Sequence, residues 1–297
     1  MGTYFNDWYL IAAFCSTIFI TFVFLKFLLK KSVIAKINKS IFRKVFLLIF
    51  APLLSLLLIY NIMDFIVVNP GNPTIKKISN NESKKLLILF HGWTGSMESL
   101  IQASSVLNNK TNYPDFEIYT ISYPTYFSRN NPDYKILSKD VLQILRNTSP
   151  NKEFYFLAHS AGGLLARLVI LNNSLTDQPI DIKRLISLGS PYGGANVATL
   201  SELLKTPNKL IRDLRPGSKF LMLIGENWNG FLSSSTSQGF SEHCLASSTD
   251  AVVNVESAQF KCMVKTTIQN RSHRSLIRFA DSDDEVYEFV LTALQFN

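Results

Sequence analysis

Phe154-Tyr155-Phe156-Leu157-Ala158-His159-Ser160-Ala161-Gly162-Gly163 is the stretch on which the fold turns. Five residues without a charge, Phe154–Ala158, read as a buried strand, and Gly162–Leu171 reads as a helix. Between them the chain must reverse within about two residues. That strand, sharp turn and helix form the setting in which a serine is held exposed above a sheet as a nucleophile. The positions two before and two after the serine crowd each other, so both must be small, and here they are Ala158 and Gly162. The Ser160 hydroxyl would stand at a helix N-terminus, where the helix dipole favours developing negative charge.

Outward from this turn, apolar runs alternate with helical patterns. Leu86–Phe90, Phe116–Ile121, Phe154–Ala158 and Ile182–Leu188 read as strands, with His243–Ala246 and Met263–Ile268 as later ones. Glu98–Leu107, Asp133–Arg146 and Val286–Leu294 read as helices. Strands alternating with helices imply βαβ units, so the expected architecture is α/β, a doubly wound and mostly parallel sheet covered on both faces. Residues 192–240 are too long for a simple connection and are expected to hold a cap or lid. The catalytic domain is expected to occupy residues 84–297. The polar stretch 69–83, with Pro70, Gly71 and Pro73, reads as a linker.

The N-terminal part is different. The composition is 47% hydrophobic and only 18% charged, against about 25% charged in soluble domains. The excess lies in Trp8–Leu29 and Val45–Val68, each about the roughly 20 residues that a helix needs to cross a bilayer. Two transmembrane helices, at about 8–29 and 45–68, are therefore expected in a membrane anchor spanning 1–68. Residues 1–7 lack the basic start of a signal peptide, and Lys30 and Lys31 follow the apolar run instead of preceding it. The connector holds Lys30, Lys31, Lys36, Lys39, Arg43 and Lys44 and no acid, which favours a cytoplasmic connector and a catalytic domain on the extracytoplasmic side.

The net charge of +8 does not indicate a nucleic-acid partner. Seven Lys/Arg and two acids lie in residues 1–68, leaving +3 for the remainder. The basic character is mostly juxtamembrane and suits anionic lipid head groups. Of the three cysteines, Cys15 falls in the first apolar run. Cys244 and Cys262 form either a disulfide in an oxidising compartment or two buried thiols. Cysteine and histidine spacing gives no metal site.

A serine hydroxyl needs a base, and the base needs an orienting acid. In this kind of fold the chain order is serine, acid, histidine. His91 and His159 precede Ser160; His243 precedes the best acid; His273, in the polar loop Gln269–Arg274, is left as the base. Asp250, in Ser247–Val253, is the expected acid, with Glu256 a substitute; Asp281, Asp283 and Asp284 break the order. The oxyanion of an acyl-transfer intermediate needs donors. The expected ones are the backbone N–H of Ala161, directly after the nucleophile, and that of Trp93, in the glycine-containing loop His91–Ser96 after an early strand.

These segments resemble the lipase branch of the α/β-hydrolase fold. His91-Gly92 is similar to the oxyanion loop of bacterial triacylglycerol lipases, and Ala158–Arg167 to the elbow of those lipases and of the GPI inositol-deacylase group. Ser187–Gly194 and Leu214–Ser218 resemble segments that follow in both. The resemblance covers about residues 86–280 and departs from the family at Ala158, where glycine is usual. It implies a triad of Ser160, Asp250 and His273 and no organic cofactor. The expected function is a membrane-anchored serine hydrolase cleaving carboxylic esters of lipid-like substrates, its partners the bilayer and an acyl-ester substrate. A thioesterase or acyltransferase would use the same residues. A non-catalytic membrane protein with this fold would have no need of a complete set.

Overall fold

The computed structural model describes residues 72–295 apart from 94–97, 109–115, 126–132, 150, 196–211 and 280–283, with scattered positions between 52 and 59. The chain divides into two units, Met1–Asn69 and Pro70–Asn297. Among the described residues no helix is long and apolar enough to cross a membrane. The expected spans, 8–29 and 45–68, lie outside those residues except at the scattered positions.

In the second unit seven strands form one sheet: β1 (Thr74–Lys77), β2 (Lys85–Phe90), β3 (Phe116–Ser122), β4 (Glu153–His159), β5 (Asp181–Leu188), β6 (Ser241–Ser247) and β7 (Val264–Ile268). Their spatial order is β1-β3-β2-β4-β5-β6-β7. β1 pairs antiparallel with β3 through Thr74↔Ser122, and the other pairs are parallel. The sheet thus begins inside the stretch read as a linker. Thr74–Lys77 is a short edge strand with three of four residues exposed, so it lacks the apolar run that marks a central strand.

Among the described residues of this unit the α-helices are α1 (Glu98–Asn108), α2 (Tyr134–Thr148), α3 (Ala161–Ser174), α4 (Lys219–Leu232), α5 (Val255–Ala258) and α6 (Glu285–Gln295). Strand residues alternate between two cores because successive side chains leave opposite faces. Leu86, Ile88 and Phe90 join Phe154, Phe156 and Ala158 against α2, α3 and α4. Leu87 and Leu89 join Tyr155 and Leu157 against α1 and α6. Covered on both faces, β2 and β4 read as unbroken apolar runs rather than alternating ones.

α4 departs from the expectation of a cap. It buries Leu221, Ile224, Trp228 and Phe231 at helical spacing on the face that also holds α3, so it is the crossover between β5 and β6. Gly225, Asn227, Asn229 and Gly230 are poor helix formers and weaken the helical signal of its second half, so the helix stays hidden within the stretch expected as a cap. The rest of the expected cap, at 196–211, lies outside the described residues.

Cys244 of β6 and Cys262 before β7 are joined in a disulfide that closes a loop of sequence separation 18. The loop contains Asp250. Chain-entropy arithmetic for such a loop gives about 3 kcal/mol. The double variant Cys244→Ala/Cys262→Ala is expected to melt about 6–12 °C lower, at roughly 2–4 °C per kcal/mol for a unit of this size. An unchanged midpoint in thermal unfolding would show that the link adds nothing to stability.

Candidate active site

β2 connects outward to β3 on one side, and β4 leads to β5 on the other. β2 and β4 are neighbours with Phe90 opposite Ala158. Their carboxyl ends flank the point where the winding reverses, the place where open α/β sheets leave a crevice for ligands. The sequence-predicted turn at Ser160 and the loop at His91–Trp93 therefore lie side by side.

Ser160 has φ 55° and ψ −133°, a left-handed conformation costly for a residue with a Cβ. It is held by Ser160 N donating to Leu188 O at 3.0 Å and Gly163 N donating to Ser160 O at 3.0 Å. Two glycines make room. A Cβ on Gly162 would lie 2.5 Å from His91 O, and one on Gly92 would lie 2.9 Å from the Ser160 Cβ. The loop leading to Trp93 thus abuts the serine directly. Ala158, where the resembled family has glycine, buries its methyl completely in the core beneath α3.

His91 pins that loop. Tyr123 N donates to His91 Nε2 at 3.3 Å, so the ring hydrogen sits on Nδ1, which donates to Gly92 O at 2.8 Å. The ring also stacks on Tyr123 with centroids 4.0 Å apart. Ala161, the other expected oxyanion donor, opens α3.

The expected base and acid reach the serine from neighbouring strands. His273, in the loop after β7, places Nε2 2.8 Å from Ser160 Oγ and Nδ1 2.7 Å from Asp250 Oδ2. Asp250, in the loop after β6, also accepts from Val252 N at 2.8 Å and Val253 N at 3.0 Å through Oδ1. Burial by itself would raise the Asp250 carboxyl. The hydrogen bond and charge of His273, with the two valine amides, outweigh it and hold the group below the usual carboxylate range. An ionised Asp250 accepts the Nδ1 hydrogen and leaves the Nε2 lone pair facing the hydroxyl. Three side chains far apart in sequence are thereby joined as hydroxyl, imidazole and carboxylate. Glu256, the substitute acid, lies exposed on α5 and takes no part; His243 is buried in β6.

Sequence reasoning missed two features. His159 Nε2 lies 2.8 Å from the carbonyl oxygen of His273. Arg167 on α3 and Glu242 on β6 form a fully buried pair, with Arg167 Nε to Glu242 Oε1 at 2.8 Å and Nη2 to Oε2 at 2.9 Å. Arg167, the one charged residue in the run Gly162–Leu171, was the available signal for the second.

Glu242, Cys244 and Cys262 bring three ligand atoms within 4.8 Å of one another. The cysteines are bonded to each other and Glu242 is taken by Arg167, so this donor set is spent. An open groove of about 430 Å³ lies between α4 and α5, lined by Leu221, Met222, Phe260, Glu226, Glu256 and Lys261 among others. Ser160, Asp250 and His273 do not line it.

Burial first, and the charge of His273 next, hold His159 down to about 3; burial first, and Arg184 next, hold His243 down to about 4, both from 6.5. Each folded value lies below the unfolded one. Their neutral forms therefore contribute stability fully above about pH 6.5, and it is lost as pH falls toward 4 and then 3. The melting midpoint is expected to fall between pH 6.5 and 4, and replacing His243 by Gln should flatten that fall.

Residues 85–221 match the α/β hydrolase fold family. No curated protein matches the chain. Among solved structures, the mature form of the Bacillus licheniformis lipase BlEst2 aligns with TM-score 0.53 at 14% identity, over 71% of this chain and 94% of that one. Phospholipase PlaB from Legionella pneumophila aligns with TM-score 0.54 at 17% identity, over 72% of this chain and 60% of that one. MGS-MChE2, an α/β hydrolase enzyme from the metagenome of Mar Chica lagoon sediments in Morocco, aligns with TM-score 0.52 at 15% identity, over 76% and 97%. At such identities the likeness speaks for the fold, and with the sheet order and the family match it places Pro70–Asn297 in the α/β-hydrolase fold.

Proposed function

We propose that this chain is a serine ester hydrolase, anchored in a membrane by its two N-terminal apolar segments and acting on carboxylic esters of lipid-like substrates. The observation that carries the reading is the hydrogen-bonded series from Ser160 Oγ through His273 to Asp250, beside a serine held at positive φ. In this mechanism His273 Nε2 takes the Ser160 proton as Oγ attacks the ester carbonyl. The Trp93 and Ala161 amides receive the oxyanion. His273, its cation stabilised by Asp250, then protonates the leaving alcohol, and an acyl group remains on Ser160. Water activated by His273 releases the acid and restores the hydroxyl.

Apolar substrate preference is supported by the N-terminal segments, which would keep the domain at a bilayer. The Cys244–Cys262 disulfide supports an extracytoplasmic domain, since such links persist in oxidising compartments. A fluorophosphonate probe should label the full-length folded chain at Ser160. A panel of p-nitrophenyl esters, phospholipids and acyl thioesters should then show turnover, greatest on the oxygen esters. Absence of both labelling and turnover would reject the reading in favour of a non-catalytic membrane protein, and preference for thioesters would move it to a thioesterase.

A further inference from the structure

His159 closes β4 and directly precedes Ser160. Its Nε2 lies 2.8 Å from the main-chain oxygen of His273, 114 residues away in sequence. A carbonyl oxygen can only accept, so Nε2 carries the ring hydrogen and donates it. The bond ties the backbone that bears the base to the residue that bears the nucleophile on its next bond. On its other edge the same ring borders the oxyanion loop, where a Cβ on Gly92 would lie 3.4 Å from His159 Nδ1. The His159 and His273 rings sit with centroids 5.0 Å apart, tilted by 41°.

The loop that carries His273 is otherwise tied to the end of β6 and to itself. Ser247 Oγ and Thr249 Oγ1 donate to Arg271 O at 2.7 and 3.2 Å, and Ser275 N donates to Ser272 O at 3.0 Å. The first two connect it to the Asp250 side of the site. Among the described residues, the hydrogen bond from His159 is the one that ties this loop's backbone to the serine side. The ring is buried and neutral at ordinary pH, so the donor stays in place and sets no second positive charge beside the imidazolium of His273.

We propose that His159 is a positioning residue for the reaction: by donating Nε2–H to the His273 carbonyl, it sets the distance at which the His273 imidazole meets Ser160 Oγ. This rests on the serine-hydrolase reading above. A misplacement of about 1 Å in such a contact can cost on the order of 10²-fold.

The test uses the full-length chain and three variants. His159→Phe keeps a flat aromatic ring and removes the donor; His159→Gln returns an N–H at similar reach; Ser160→Ala is the reference. His159→Phe is expected to lower kcat by about 10- to 100-fold with KM within about twofold, and His159→Gln to recover to within about threefold of the starting chain. Equal turnover in His159→Phe and the unaltered chain, or equal impairment in the Phe and Gln variants, would overturn the proposal. If Ser160→Ala is inactive while His159→Phe is fully active, the positioning role alone falls. If Ser160→Ala keeps its turnover, the hydrolase reading falls and this proposal with it. Nitrogen-15 NMR of the unaltered chain, labelled at its histidines, gives a second measurement that needs no variant: His159 should be neutral and protonated at Nε2, and protonation at Nδ1 instead would overturn the assignment.

Discussion

Ser160→Ala is expected to lower kcat by about 10³-fold or more while KM changes little. In the proposed reaction the hydroxyl makes the bond that carries the acyl group, and without it His273 and Asp250 would have nothing to activate. Residual turnover would come from oxyanion donors and binding, with water as the attacking group. Members of such a relay act as a unit, so further changes at His273 or Asp250 should add little to the Ser160 loss. Asp250→Asn tests the relay from its other end. The amide can donate to His273 Nδ1, which favours the tautomer with hydrogen on Nε2, the wrong one for accepting the Ser160 proton. A drop on the order of 10⁴-fold in kcat is expected. Steady-state kinetics on a water-soluble ester read both. A Ser160→Ala protein that turns over like the original would remove the nucleophile from the scheme.

The largest loss of stability is expected from Glu242→Leu. Arg167 is 1% and Glu242 0% exposed. The guanidinium also lies 3.3 Å from the Tyr192 ring centroid and donates to Phe260 O and Lys261 O at 3.3 Å, while Trp228 Nε1 donates to Glu242 Oε2 at 3.1 Å. The pair thus joins α3, α4, β6 and the segment before Cys262. Removing one partner strands a buried charge, which costs about 3–5 kcal/mol. At roughly 2–4 °C per kcal/mol, the midpoint should fall by about 6–20 °C. Adding Arg167→Met should recover part of this loss, because the stranded charge goes with it. Recovery will be incomplete, since Trp228 Nε1 and two carbonyls also lose a partner. A midpoint unchanged in Glu242→Leu would mean that Arg167 finds water or another acceptor.

How far the sequence reached differed from element to element. Leu86–Phe90 and Phe154–Ala158 could be recognised because both sheet faces are covered and the strands are apolar throughout. Thr74–Lys77 could not, since an edge strand with its side chains in solvent carries no such run. Lys219–Leu232 lay hidden in the expected cap because Gly225 and Gly230 break the local preference for helix, although its buried stripe is spaced correctly and packing of Trp228 overrides them. Ser160, Asp250 and His273 were legible because a strand–turn–helix announces the first and chain order leaves few choices for the others.

The sequence by itself determined the alternating α/β plan, the turn that exposes Ser160 and the identities of its two partners, because those follow from local hydrophobic period, small-residue spacing and order along the chain. Only the tertiary structure decided that Cys244 meets Cys262, that Arg167 is neutralised by Glu242, and that the ring of His159 holds the carbonyl of His273. Such contacts join residues on different strands and helices, and their existence depends on sheet order and helix packing, which no local pattern encodes.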